Sequence, residues 1–305
     1  MYQHKQWPQL DYNEWKDTLA TVHLWTQIVG KIRLRNLPWL NHSWHVTLYV
    51  SPTGLTTGSI PYNDGLFQID FDFVKHRLVI QNGTGEDAFI SLYPRSVASF
   101  YAELMQRLKE SGIETSIHAA PNEVDPAIPF AQDEVHCSYN SGQVNAFWQA
   151  LVKAHTVFTS FRAGFKGKSS PVHFFWGSFD LAVTRFSGRP APLHPGGAPN
   201  VPLRVMQEAY SHELSSCGFW PGNEQMPQAI FYSYCYPSNP EFSTQPVLPA
   251  EAYFDQQMGE FILPYEAVRQ AEDPAKVLLQ FMESTFKAAT NTAGWDKDLC
   301  QEATF

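Results

Sequence analysis

Leu66-Phe67-Gln68-Ile69-Asp70-Phe71-Asp72-Phe73-Val74 places a large apolar side chain at every second position, at Phe67, Ile69, Phe71 and Phe73. Successive side chains of an extended chain point to opposite faces, so the segment reads as a β-strand with one buried face. Three further β-like runs surround it, over residues 44–50, 77–81 and 88–93. Upstream, Trp15, Leu19, Val22, Trp25 and Val29 recur at steps of three and four, which predicts an amphipathic helix over residues 13–29 with Asn13 as its cap. Downstream, a helix over residues 96–110 stops at Gly112, a usual C-terminal position for glycine.

The same order then recurs. Residues 118–142 are rich in Pro, Asp, Asn and Ser and carry no periodicity, as a linker or crossing loop would. Beyond them the pattern predicts a helix over 144–165, a strand over 172–186, strands over 229–236 and 261–264, and a closing helix over 273–289. The fold implied is α+β, with two similar lobes, 1–117 and 144–305, each an antiparallel sheet with flanking helices, joined by 118–143. Individual residues match as well. His23 and His155 each fall ten residues after Asn13 and Asn145, and each helix leads to a strand opening with His45 or His173. Tandem duplication is one reading of this match, and coincidence between two halves rich in Phe and His is the other. Under duplication, the longer spacing in the second half places an insertion at about residues 187–228.

Composition bounds the function. The chain has 305 residues, 44% hydrophobic and 14% aromatic, enough for two ordinary domains or one large one. Its 21 Lys and Arg stand against 30 Asp and Glu, a formal charge of −9, without a basic run. That argues against nucleic acid as a partner, since clustered cations supply most phosphate affinity. Cys137, Cys217, Cys235 and Cys300 form no C-x-x-C pair, which fits reduced thiols and a cytoplasmic location. Residues 1–10 lack the apolar segment of a secretory signal, and no run of 18 apolar residues predicts a membrane span.

Candidate chemistry concentrates in the second half. In the run His173-Phe-Phe-Trp176-Gly-Ser178-Phe-Asp180-Leu-Ala-Val-Thr-Arg185, strand alternation would set Trp176, Ser178 and Asp180 on one face. An Asp among such neighbours must be hydrogen-bonded, paired or protonated, which makes Asp180 either a site residue or the partner of Arg185 or Arg189. Within the insertion a helix is expected around residues 203–214, bearing Ser211, His212 and Glu213, and Trp220 follows. The reading with Asp180 and His212 as acid and base gives Glu213 or Ser211 an orienting role and Arg185 or Arg189 an anionic substrate group. Trp176 and Trp220 would then be walls, with His45, His173 and Ser178 beside the substrate. On that reading the expected function is an enzyme acting on a small polar molecule. Its alternatives are a non-catalytic small-ligand or protein-interaction module, and a metalloprotein in which His45, His173, His212 and Glu213 converge, although no H-E-x-x-H spacing supports a metal. Cys217 with His212 is a conceivable nucleophile pair, but no G-x-S-x-G elbow exists and Cys217 also reads as a small core residue. Neither a cofactor nor an oligomeric state follows from these residues.

Leu24-Trp-Thr-Gln-Ile-Val-Gly30, Leu55-Thr-Thr57, Ile69-Asp-Phe-Asp-Phe73, the run from His173 to Pro190, and Ser211-His-Glu213 together resemble a bacterial family catalogued as domain of unknown function 5996. The resemblance spans nearly the whole chain. It implies a stand-alone cytoplasmic protein and transfers no catalytic role. The family pattern often has Ala where this chain has Cys217, which weakens the cysteine nucleophile.

Overall fold

Helix α1 (Tyr12–Asn36) starts where the Asp11 side chain accepts a hydrogen bond from the Asn13 amide at 3.0 Å, so the cap is Asp11 rather than Asn13. The computed structural model describes residues 6–83 and 85–299 of the chain. Far from presenting one apolar stripe, α1 is buried along most of its length, with Trp25, Ile28, Val29 and Ile32 fully enclosed. Trp15 meets Phe147 of helix α3 (Ser141–Ala163), and Trp25 stacks on Phe100 of helix α2 (Val97–Glu110).

Each half folds as a long helix, an antiparallel sheet and a closing helix or helix pair. In the first, strands β1 (Tyr49–Val50), β2 (Gly54–Thr56), β4 (Gly65–Asp72), β5 (Arg77–Gln81) and β6 (Ala88–Ser91) pair in that order, with β3 (Ile60–Tyr62) beside β4. Phe67, Ile69, Phe71 and Phe73 are all buried, as the alternation requires. In the second, β7 (His173–Phe175), β8 (Asp180–Pro190), β9 (His212–Trp220), β10 (Ile230–Tyr236), β12 (Glu260–Pro264) and β11 (Tyr253–Asp255) form the other sheet, also antiparallel. Helices α5 (Tyr265–Gln270) and α6 (Pro274–Ala293) close the chain. The inner face of this second sheet, with Leu181, Val183, Phe219, Phe231 and Leu263, faces α3, α5 and α6.

The sheets meet edge to edge at Leu48 and Phe174, which exchange backbone hydrogen bonds of 2.9 and 2.8 Å. One hydrophobic core runs through both lobes. No helix among the described residues is long and apolar enough to cross a membrane.

Two sequence expectations change. The strand expected over residues 172–186 is a hairpin, β7 and β8, broken by a turn in which Phe179 takes φ +61°. The helix expected over residues 203–214 ends early, as α4 (Leu203–Ala209), and Ser211-His212-Glu213 lead into β9 instead. Because β9 is a central strand, the parts of the expected 187–228 insertion outside the sheet are residues 191–211, which carry α4, and residues 221–228.

Candidate functional site

The turn between β7 and β8 is fixed at both ends by aromatic side chains. Trp176 is buried and donates from Nε1 to the Val46 carbonyl at 2.6 Å, while Phe179 stacks on Phe147 with ring centroids 5.2 Å apart. Between these anchors, Gly177 and Ser178 face a cleft of about 940 Å³. The N-terminal half of α1, residues 123–125 and 135–138 of the crossing segment, and Trp220 with the residues after it form the remaining walls.

One stripe of α1 holds the crossing segment. His23, Gln27 and Lys31 lie one helical turn apart on one face. Gln27 donates from Nε2 to the Asn122 carbonyl and accepts from the Asn122 amide, both at 2.8 Å, and Lys31 donates to Asn122 Oδ1. The next residue, Glu123, is pinned by its amide to the Pro199 carbonyl at 2.8 Å and has φ +58°, a left-handed backbone that a glutamate adopts at a cost. Its carboxylate lies over Gly177, where a Cβ would overlap Oε1. His23 donates from Nε2 to the Gly177 carbonyl at 2.8 Å, and burial lowers its pKa to about 4, so the imidazole is neutral at physiological pH.

Behind the turn, Asp180 opens β8 on the outer face of the sheet. Ser178 Oγ donates to its Oδ1 at 2.5 Å and the Tyr232 hydroxyl to its Oδ2. Tyr232 reaches it by lying across Gly218 of the intervening strand, where any Cβ would overlap the phenol ring. Both hydrogen bonds favour the charged carboxylate, but burial outweighs them and raises the Asp180 pKa. Glu123 is exposed as a residue, but loss of water around its carboxyl over Gly177 and then the charge of Asp180 push it up to about 7. Glu260, on the same sheet face, is pushed up to about 8 by burial, then by Asp180 and Asp255. The charge of Asp180 thus disfavours ionisation of both Glu123 and Glu260, and Glu123 opens onto the cleft.

Of the residues singled out from sequence, Ser178 and Trp220 line the cleft, and Trp220 donates from Nε1 to the Ser178 carbonyl at 3.2 Å. Asp180 lies just behind it through Ser178. Ser178 and Asp180 do come together, but by turn geometry rather than strand alternation, and Trp176 is turned away to Val46. His212 pairs with Pro190 at the far end of the β8–β9 ladder from Asp180, so the two cannot act as one acid–base pair. Around His212, Ser211 Oγ lies 3.1 Å from its Nδ1 and the His42 ring 5.7 Å away. Glu213 is bound to Arg189 at 2.6 Å. Arg185 is buried with its guanidinium 3.4 Å from the Phe161 ring centroid and donates to the Phe161 carbonyl, so it is a core residue. His173 is buried with neither ring nitrogen hydrogen-bonded, and His45 Nδ1 accepts from the Leu40 amide at 3.2 Å.

His45, His173, His212 and Glu213 do not converge. Among the described residues no group of three or more His, Cys, Asp or Glu is arranged to hold a metal. Cys217 faces the core, donates to Ser233 Oγ at 3.4 Å and has its thiol pushed up to about 11 by burial, which leaves it a poor nucleophile.

Sequence reasoning missed Glu123, Glu260, Tyr232 and the role of His23. Glu123 sits in an aperiodic Pro-rich stretch, and only its neighbours in space distinguish it from any loop carboxylate.

A family model described as a family of unknown function (DUF5996) matches residues 7–302. No curated protein and no solved structure matches the chain.

Proposed function

The chain belongs to this family of unknown function, DUF5996, and from that premise, which brings no activity with it, we propose an enzyme that acts on a small polar molecule in the cleft, with Glu123 as its general acid–base. The observation that carries the reading is the placement of Glu123. A left-handed backbone, a clamp from Gln27 and Lys31 and the gap above Gly177 hold one carboxyl at the cleft wall, with a proton affinity near neutrality. Strain of this kind persists where surrounding structure over-determines it, and a pKa near the working pH suits a group that both takes and gives a proton. Asp180 does not touch the cleft and acts as a positioning residue, through its charge on Glu123 and its bond to Ser178. Trp220 supplies an aromatic wall. The protein is further read as bacterial and cytoplasmic, and the shared order of helix, antiparallel sheet and helix supports tandem duplication of the two halves.

The test follows consumption of pooled polar metabolites by mass spectrometry. The wild type is expected to deplete at least one compound, and Glu123→Gln to lose turnover by roughly 10²–10⁴-fold while retaining affinity. With the carboxylate as base, the rate should rise with pH through about 7. Asp180→Asn removes a neighbouring negative charge, so that rise should move to lower pH. Ligand binding without depletion by the wild type would instead favour a non-catalytic binding module, and full turnover by Glu123→Gln would sink the proposed role.

A further inference from the structure

Outside the cleft, irregular features gather at the loop between α1 and β1. His42 and Ser43 are consecutive left-handed residues, with φ +57° and +58°, a backbone that neither side chain favours. Ser43 Oγ is buried without a hydrogen-bond partner, as are both ring nitrogens of His173, whose ring meets Trp44. Such strain persists only where the surroundings impose it. Here the His42 amide donates to Glu208 Oε1 at 3.3 Å, and the ring packs against Phe186 and Trp44 with centroids 4.5 and 5.1 Å away.

What the strain positions is one imidazole. His42 is 3% exposed, and its Nδ1 lies 3.1 Å from the Ala209 carbonyl. A carbonyl only accepts, so Nδ1 carries the proton and Nε2 presents a lone pair. Lys168 donates to that lone pair from Nζ at 2.8 Å. The lysine is itself held in place. Its carbonyl accepts from the Phe186 amide at 3.0 Å, and its Nζ lies 5.3 Å from the ring centroids of both Trp44 and Phe186. It is ion-paired with no carboxylate among the described residues. The other titratable groups that face the pair are Glu208 and His212. Glu208 favours the ammonium, but loss of water outweighs it and lowers the Lys168 pKa. Burial, and then the charges of Lys168 and His212, likewise lower that of His42. The lysine is nonetheless exposed as a residue, so a molecule from solvent reaches its amine.

From this geometry we infer a second site, apart from the cleft, in which Lys168 is a nucleophilic amine that takes an aldehyde as an imine and His42 carries the proton. His42 Nε2 accepts a proton from the Lys168 ammonium, and the freed pair on Nζ forms a bond to the carbonyl carbon. A proton left on that nitrogen moves to the carbonyl oxygen, giving a carbinolamine. His42 then returns its proton to the new hydroxyl, which departs as water while the nitrogen pair closes the C=N bond. Ammonium and aldehyde thus become iminium and water, with no further reactant. Dehydration is the step that an isolated surface lysine lacks help with, and a neighbouring imidazole that has just taken up a proton supplies it. None of these residues lines the cleft, so the site stands independently of Glu123.

The experiment treats the full-length protein with propanal and sodium cyanoborohydride, which reduces an imine to a stable alkylamine, and ranks the lysines by digestion and mass spectrometry at early times. At pH 7, Lys168 is expected to be labelled roughly tenfold faster than Lys166 and Lys276, which are also exposed. That advantage should shrink toward pH 9.5, as ordinary lysines with pKa about 10.4 begin to lose their protons. His42→Asn, a residue that tolerates the left-handed backbone, should bring Lys168 down to the rate of Lys166 while circular dichroism stays unchanged. Equal labelling of Lys168 and Lys166 in the wild type at pH 7 would overturn the inference. So would an advantage that survives in folded His42→Asn, since accessibility alone would then explain it. Should that variant not fold, the wild-type pH comparison decides: a Lys168 advantage undiminished at pH 9.5 would equally overturn the site.

Discussion

His173 shows what a single side chain costs when its partners are missing. It is 1% exposed, neither nitrogen has a hydrogen-bond partner, and burial lowers its pKa to about 3. The ring instead meets Phe175 at 4.6 Å and Trp44 at 6.3 Å. His173→Phe keeps the shape and removes two desolvated nitrogens, so we expect it to stabilise the protein at pH 7 by about 1–3 kcal/mol in chemical denaturation. A loss of stability would mean that the imidazole has a partner in solution. At this scale the sequence was partly legible. Asp180 stood out because a carboxylate among aromatic residues must be satisfied, and Ser178 and Tyr232 satisfy it. His212 stood out for its neighbours Ser211 and Glu213, but adjacency in sequence says nothing about the eight-residue span of β9 that separates it from the cleft end of that strand.

The hairpin of β7 and β8 is the element on which the site depends, and two glycines around it predict opposite failures. An alanine at Gly177 meets only the far end of the Glu123 side chain, which can swing away. Gly177→Ala should therefore leave the melting temperature nearly unchanged yet remove Glu123-dependent turnover. At Gly218 the added methyl meets the Tyr232 ring, which is packed between strands and bonded to Asp180. Gly218→Ala should cost roughly 1–3 kcal/mol of stability, the usual penalty of overpacking. Equal effects at the two positions would count against this account. The turn itself was hidden because its left-handed residue is Phe179, a strand former by propensity, held there by stacking on Phe147 from a distant helix. Strand β9 was hidden for a related reason. Its outward positions include Ser216 and Gly218 and its inward ones Ser215 and Cys217, so little hydrophobic contrast marks the alternation. The long helices and β4 carried stronger periodicity and could be read directly.

For the whole molecule, opposing shifts shape stability against pH. His23 and His173 have folded pKa values of about 4 and about 3, below the usual 6.5, so their contribution is present above 6.5 and is lost as pH falls below it. Glu123 and Glu260, at about 7 and about 8, lie above the usual 4.5, so theirs is present below 4.5 and lost as pH rises toward 8. The two trends cross between these limits, and the melting temperature should peak at about pH 5–6. A maximum above pH 7.5 would show that the carboxyls of Glu123 and Glu260 are not raised in the folded protein. The junction at Leu48 and Phe174 bears on a different property of the molecule. Two separate open sheets would offer four unpaired borders to passing chains, each a template for adding a foreign strand. Joining β1's side to β7 consumes two of them within the chain. What remains at the rims is β6, four residues long, β11, three residues long, and the three-residue β3 beside β4, all too short to nucleate much. The seam between the lobes thus also serves colloidal hygiene, protecting an aromatic-rich protein from polymerising with its own copies.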